Sequence, residues 1–163
     1  MKRLAIAAVM LLAVGAAGCG SSNTPTNPSN LKIFTVQLLP SNEVPPITNG
    51  EQSGRGTAVI TVHSDSNTVD FAFSLNSFPA GTTVTLAHIH PGAAGVNGGA
   101  LIGVPGLAAT TPLVLTDGTG TFVANGVSSS ATNIQNILST PQGFYFNVHT
   151  TLNGPGVARG QLQ

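Results

Sequence analysis

Three of the four histidines in the chain fall in two short patterns that can set imidazoles side by side. His88 and His90 flank Ile89 near the end of a strand-like run, and His149 closes the run Phe144-Tyr145-Phe146-Asn147-Val148 near the C-terminus. Successive side chains of a strand alternate between faces, so His88 and His90 share one face while Ala87 and Ile89 take the other. The same alternation puts Phe144, Phe146 and Val148 on one face and Tyr145, Asn147 and His149 opposite. With the apolar rows as core, all three imidazoles lie on the outer side of the sheet. If the two strands are neighbours, the rings converge at a separation suited to one copper or zinc ion, both of which accept neutral imidazole nitrogen. The competing reading is structural: each ring donates an N–H to a backbone carbonyl of the glycine-rich loop 91–99 and ties it to the last strands. His63, beside Ser64 and Asp65 on the polar side of its strand, reads as an ordinary surface residue.

The other residues with chemical potential form no reacting pair. Glu43 precedes Val44-Pro45-Pro46, a segment its prolines hold in extended or turn geometry. A carboxylate base for hydrolysis needs a second carboxylate or an activated water, and the sequence supplies no convincing partner. Glu43 therefore reads as a loop support that accepts backbone N–H bonds or pairs with Arg159. Asn147 joins these two as a structural loop residue. No Gly-x-Ser-x-Gly elbow activates a serine. The stretch 92–99 lacks the Lys-Ser/Thr of a phosphate loop and leads into no helix, so it reads as a turn. The sequence assigns no catalytic residue and points away from an enzyme.

Holding three imidazoles in place is work for a sheet, and the composition supports one. Only 6% of the 163 residues are charged, against roughly 25% in an ordinary soluble domain, which excludes a nucleic-acid binder. Twenty glycines and eleven prolines fall short of a low-complexity chain, and 41% apolar residues allow a packed core. Strand-like runs at 32–39, 56–63, 69–75, 84–90, 113–115, 120–124, 144–149 and 157–162 alternate with turn clusters, which predicts an all-β sandwich or barrel. Ala58, Ile60 and Val62 share one face of their run, and Val69, Phe71, Phe73 and Leu75 share one face of the next. One short helix is predicted at Ala131–Ser139, where Ile134, Ile137 and Leu138 recur at helical spacing before Thr140-Pro141.

Residues 1–18 read as an export signal: a basic start at Lys2 and Arg3, an apolar run over 4–14, and small residues up to Cys19. The run is too short for a transmembrane helix. Ala16-Ala17-Gly18-Cys19 resembles a bacterial lipobox, with Ala16 where that motif usually carries Leu. The resemblance implies that Cys19 is acylated and becomes the mature N-terminus. Residues 19–30 then form a flexible tether, since they hold no large apolar side chain, and 31–163 form the domain. After processing, Lys32, Arg55 and Arg159 stand against Glu43, Glu51, Asp65, Asp70 and Asp117, a formal charge of −2 with no basic patch to hold a polyanion.

Phe34-Thr35-Val36-Gln37-Leu38, Asn42-Glu43-Val44-Pro45-Pro46, Ala87-His88-Ile89-His90 with Asn97-Gly98, Phe146-Asn147-Val148-His149-Thr150 and Arg159-Gly160-Gln161-Leu162 follow one another in the order of the landmarks of the CHRD domain. The chain resembles that family from about residue 31 to 163. It departs at the turn Gly154-Pro155-Gly156-Val157-Ala158-Arg159, where the family usually reads Pro-Gly-Gly-Glu-Ile-Arg, and at Gly99, where a Pro is usual. The resemblance implies an immunoglobulin-like, Greek-key sandwich or barrel with a distant likeness to copper/zinc superoxide dismutases, and implies no activity for bacterial members. The dismutase likeness extends to a His-x-His strand beside a later strand ending Val-His. It stops there, because no bridging histidine, zinc cluster, disulfide pair or basic channel accompanies it.

Two functions emerge as expectations. The first is an exported, lipid-anchored surface module of the cell envelope that binds or adheres to a protein or glycan. The alternative is a copper or zinc protein, carrier or redox, using His88, His90 and His149.

Overall fold

The computed structural model describes residues 30–163; the expectations for the signal segment, Cys19 and nearly all of the tether lie outside them. Nine strands and one α-helix make up the domain: β1 (Leu31–Leu38), β2 (Arg55–His63), β3 (Thr68–Asn76), β4 (Thr82–Pro91), β5 (Ile102–Gly103), β6 (Leu113–Leu115), β7 (Gly120–Ser128), α1 (Ala131–Ser139), β8 (Phe144–Thr150) and β9 (Ala158–Gln161). They form two antiparallel sheets packed as a sandwich. The first has the order β1-β2-β3-β7 and the second β5-β4-β8-β9, with β6 also pairing with β4. A bridge between Leu39 and Arg159 joins the sheets along one side.

The apolar rows face each other as the period-two pattern requires. Phe34, Val36 and Leu38 of β1, Ala58, Ile60 and Val62 of β2, and Val69, Phe71, Phe73 and Leu75 of β3 are buried. They meet Ala87 and Ile89 of β4 and Phe146 and Val148 of β8. Phe146 lies at the centre of this contact, its ring centroid 5.7 Å from those of both Phe71 and Phe73. Helix α1 runs where its Ile spacing places it. Ser130 caps it by accepting the Asn133 N–H at 3.1 Å, and Ile134 and Ile137 are buried.

Two features depart from plain alternation, and both act on the histidines. In β4 the buried positions that face the core are Thr82 and Val84, then Ala87 and Ile89, and His90 is buried on the opposite face. The change of parity coincides with a register shift between Val84 and Leu86 opposite β8. One extra residue re-aims everything beyond it, so His88 and His90 point away from the core. In β8 every residue from Tyr145 to Thr150 is buried, on both faces. The outer face of this sheet is thus a second, polar interior roofed by loops. The histidines thus lie on the outer side of the sheet as expected, but under cover: His90 and His149 are only 6% and 5% exposed and His88 is half-buried.

Candidate metal centre

Register fixes which side chains meet beneath those loops. Across β4, β8 and β9, His90 stands opposite Tyr145 and Tyr145 opposite Gln161, while His88 stands opposite Asn147 and Asn147 opposite Arg159. His149 pairs with Leu86, one step further along β8. The three histidines therefore form a triangle spanning two adjacent strands. Their ring centroids are 4.9 Å (His88–His149), 5.4 Å (His88–His90) and 5.6 Å (His90–His149) apart. His88 Nδ1 and His149 Nε2 are 3.0 Å apart and share a hydrogen bond, in which His88 donates because the other nitrogen of His149 donates to Gly154 O.

Backbone carbonyls set the tautomers of two rings. His90 Nδ1 donates to Gly98 O at 2.9 Å and His149 Nδ1 donates to Gly154 O at 2.9 Å. Each ring then turns an unprotonated Nε2 inward, and His90 Nε2 is buried without a hydrogen-bond partner. An outer carbonyl that orients an imidazole and raises its basicity is the usual support of a metal ligand. One nitrogen from each histidine lies within 4.8 Å of the other two. A separation of 3.0 Å subtends about 95° at an ion about 2.0–2.1 Å from both nitrogens, and the widest pair closes to a shared ion with a shift of under about 1 Å.

The local electrostatics keep these rings neutral. Burial lowers the pKa of all three, and that of His149 falls to about 4. Neighbouring His90 lowers His88 further, and the Arg159 charge acts on His90 in the same direction. Neutral imidazole is the form that donates a lone pair to a metal, so no proton has to leave at pH 7.

The two sequence readings of these histidines prove compatible. The rings converge, and two of them also hold loop carbonyls, though only His90 holds the loop 91–99; His149 reaches the separate turn at Gly154. His63 lies outside the cluster on the first sheet. It is not a plain surface residue: its Nε2 contacts Asp70 Oδ2 at 2.8 Å.

Beside the triangle, Arg159 joins the roof to the sheet. Its Nε donates to Asn42 O at 2.7 Å and its Nη1 to Asn97 Oδ1 at 2.8 Å, while its guanidinium lies 4.5 Å from the centroid of the Tyr145 ring. Tyr145 in turn stacks on His90, centroids 5.0 Å apart, and its hydroxyl accepts the Gly98 N–H at 3.1 Å. Glu43 is buried here too, hydrogen-bonded by the Asn147 side chain. Desolvation raises its pKa to about 7, against the opposing pull of Arg159. The expected Glu43–Arg159 ion pair does not form; among the described residues the His63–Asp70 contact is the one ion pair. Glu43 Oε1, Asn147 Oδ1 and Arg159 Nη2 remain buried without partners. A cavity of about 410 Å³ opens alongside, lined by Glu43, Pro45, Pro46, His90, Asn97 and Tyr145 among others.

Sequence reasoning missed Glu51, Tyr145 and Asn153. Glu51 Oε2 accepts Thr150 Oγ1 at 2.7 Å and Asn153 Nδ2 at 2.6 Å, locking the turn after His149 against the loop after β1. Its buried state had no local signal, because the Asn49-Gly50-Glu51 stretch reads as an exposed turn.

The sequence model of the CHRD domain matches residues 34–162. No curated protein matches the chain. No solved structure matches it either.

Proposed function

The chain belongs to the CHRD domain family, and from its buried histidine triangle we propose that this domain binds one copper or zinc ion through His88, His90 and His149, as a carrier or redox centre. One observation carries the reading: one nitrogen from each of the three rings lies within 4.8 Å of the other two, while the far nitrogens of His90 and His149 are committed to carbonyls. A purely structural pair would need neither the third ring nor a partnerless, inward-facing His90 Nε2. Three protein nitrogens leave further coordination positions for water or a small ligand, the arrangement of catalytic and transport sites rather than of closed structural ones.

The test is the metal content of protein made without a His-tag, by mass spectrometry, for the wild type and His149→Ala. We expect about one copper or zinc per chain in the wild type and loss of most of it in the variant. A wild type that takes up neither ion at micromolar supply sinks the proposal. The histidines would then serve only to hold the loops, and the domain would be a binding module for a protein or glycan, with the 410 Å³ cavity as its ligand site.

We propose in addition that the domain is exported and held at the cell envelope by acylated Cys19. The support is the three-part leader and the lone cysteine at its end. Cys19→Ala should move the protein from the membrane fraction to the soluble one, and unchanged membrane association would refute the anchor.

A further inference from the structure

Resting on the metal reading above, the charge inventory around the triangle narrows the ion. All five carboxylates of the chain are among the described residues. Glu43 is bonded by Asn147, and Glu51 by Thr150 and Asn153. Asp65 and Asp70 belong to the first sheet and its β2–β3 turn, where they take Asn30, His63 and Gly126. Asp117 closes the β6–β7 turn on Thr119. None joins the group of atoms that can share an ion, which consists of three imidazole nitrogens. The single cysteine and both methionines, Met1, Met10 and Cys19, precede the domain, so no thiolate or thioether from the sandwich is available.

A bound ion therefore keeps its full charge in a largely buried site. A fixed charge that does act on the triangle, that of Arg159 on His90, is also positive. The cost of burying charge grows with the square of that charge, so a divalent ion meets about four times the penalty of a monovalent one. A divalent ion must also bring an anion such as hydroxide and fill a fourth position, whereas monovalent copper is satisfied by three neutral nitrogens. We infer that His88, His90 and His149 hold copper in its monovalent state, as a three-coordinate all-imidazole centre, in preference to zinc.

The geometry supplies a test that keeps all three ligands. Gly103 of β5 is in register with His88, and a Cβ placed on it would stand 3.3 Å from His88 Cδ2 and 3.8 Å from its Nε2. Gly103→Asp would thus add one negative charge beside the site, and Gly103→Asn the same shape without it. Metal-free, tag-free full chain in detergent is titrated anaerobically with Cu(I) against a chromophoric Cu(I) chelator, and separately with Zn²⁺. The wild type should take one Cu(I) and release zinc to it. Relative to Gly103→Asn, which carries the same contact with His88, Gly103→Asp should shift the preference toward Zn²⁺ by about tenfold or more. Zinc held as tightly as Cu(I) by the wild type, or a selectivity that ignores the aspartate, would overturn the ion assignment alone. Binding of neither ion would overturn the metal reading and this inference together.

Discussion

Replacing Glu43 by Gln should change how the metal-free domain responds to acid, and the structure gives the size of the change. Burial lifts the Glu43 carboxyl from an ordinary 4.5 to about 7, so between those values the folded state holds a proton that the unfolded chain releases. Stability from this group is thus gained as pH falls and lost as pH rises through about 7. His149 has the opposite sign. Its folded pKa of about 4 against an ordinary 6.5 means that the unfolded chain takes up the proton first, and acid destabilises the fold. Between pH 7.5 and 5, linkage gives about 2 kcal/mol of stabilisation from Glu43 and about 2 kcal/mol of loss from His149, to which His88 and His90 add. The wild type therefore carries an internal compensation, and Glu43→Gln removes one side of it. The amide imitates the protonated acid, so the stability of the variant relative to the wild type should rise by about 2 kcal/mol between pH 5 and pH 7.5. Urea denaturation followed by circular dichroism at the two pH values, with chelator present, reads this directly. Curves for the two proteins that stay parallel between pH 7.5 and 5 would refute the burial of an ionisable Glu43.

Three further outcomes test the packing and the roof. Phe71→Ala should cost about 3–5 kcal/mol in urea denaturation, because its ring fills the inter-sheet contact with Phe146; a cost under about 1 kcal/mol would contradict the shared core. Arg159→Ala should cost about 3–5 kcal/mol and speed hydrogen exchange in both 40–46 and 91–99, since it strips two charge-assisted bonds, to Asn42 and Asn97, each worth about 1.5–3 kcal/mol. Gly156→Ala should destabilise by about 1–3 kcal/mol, as Gly156 has φ +145° and a Cβ there would stand 2.9 Å from Glu43 Oε2; Gly154→Ala, with nothing within 4 Å, should be near neutral by the same assay.

Local periodicity, and the side-chain facing it imposes, was legible in the residue order. Alternation placed Phe71 and Phe73 inside and set His88, His90 and His149 on the face away from the core, because side-chain direction in a strand depends only on position along it. The spacing of Ile134, Ile137 and Leu138 and the stop at Thr140-Pro141 marked the helix for the same local reason. The force that brought the imidazoles together was not local. It took the pairing of β4 with β8, strands more than fifty residues apart, and the register that sets His149 against Leu86 rather than a residue further along. Nor does alternation reveal the bulge after Val84, since unbroken alternation from Val84 would have turned His88 and His90 inward. The polar second interior was hidden as well: whether an outward face meets water or loops depends on where distant segments lie. Glu51 and Arg159 became buried supports because loops far apart in sequence cross over them. Strand pairing, register and loop coverage all come from non-local contacts, and so the gathering of three outward-facing histidines into one largely buried, neutral site is a property of the folded chain.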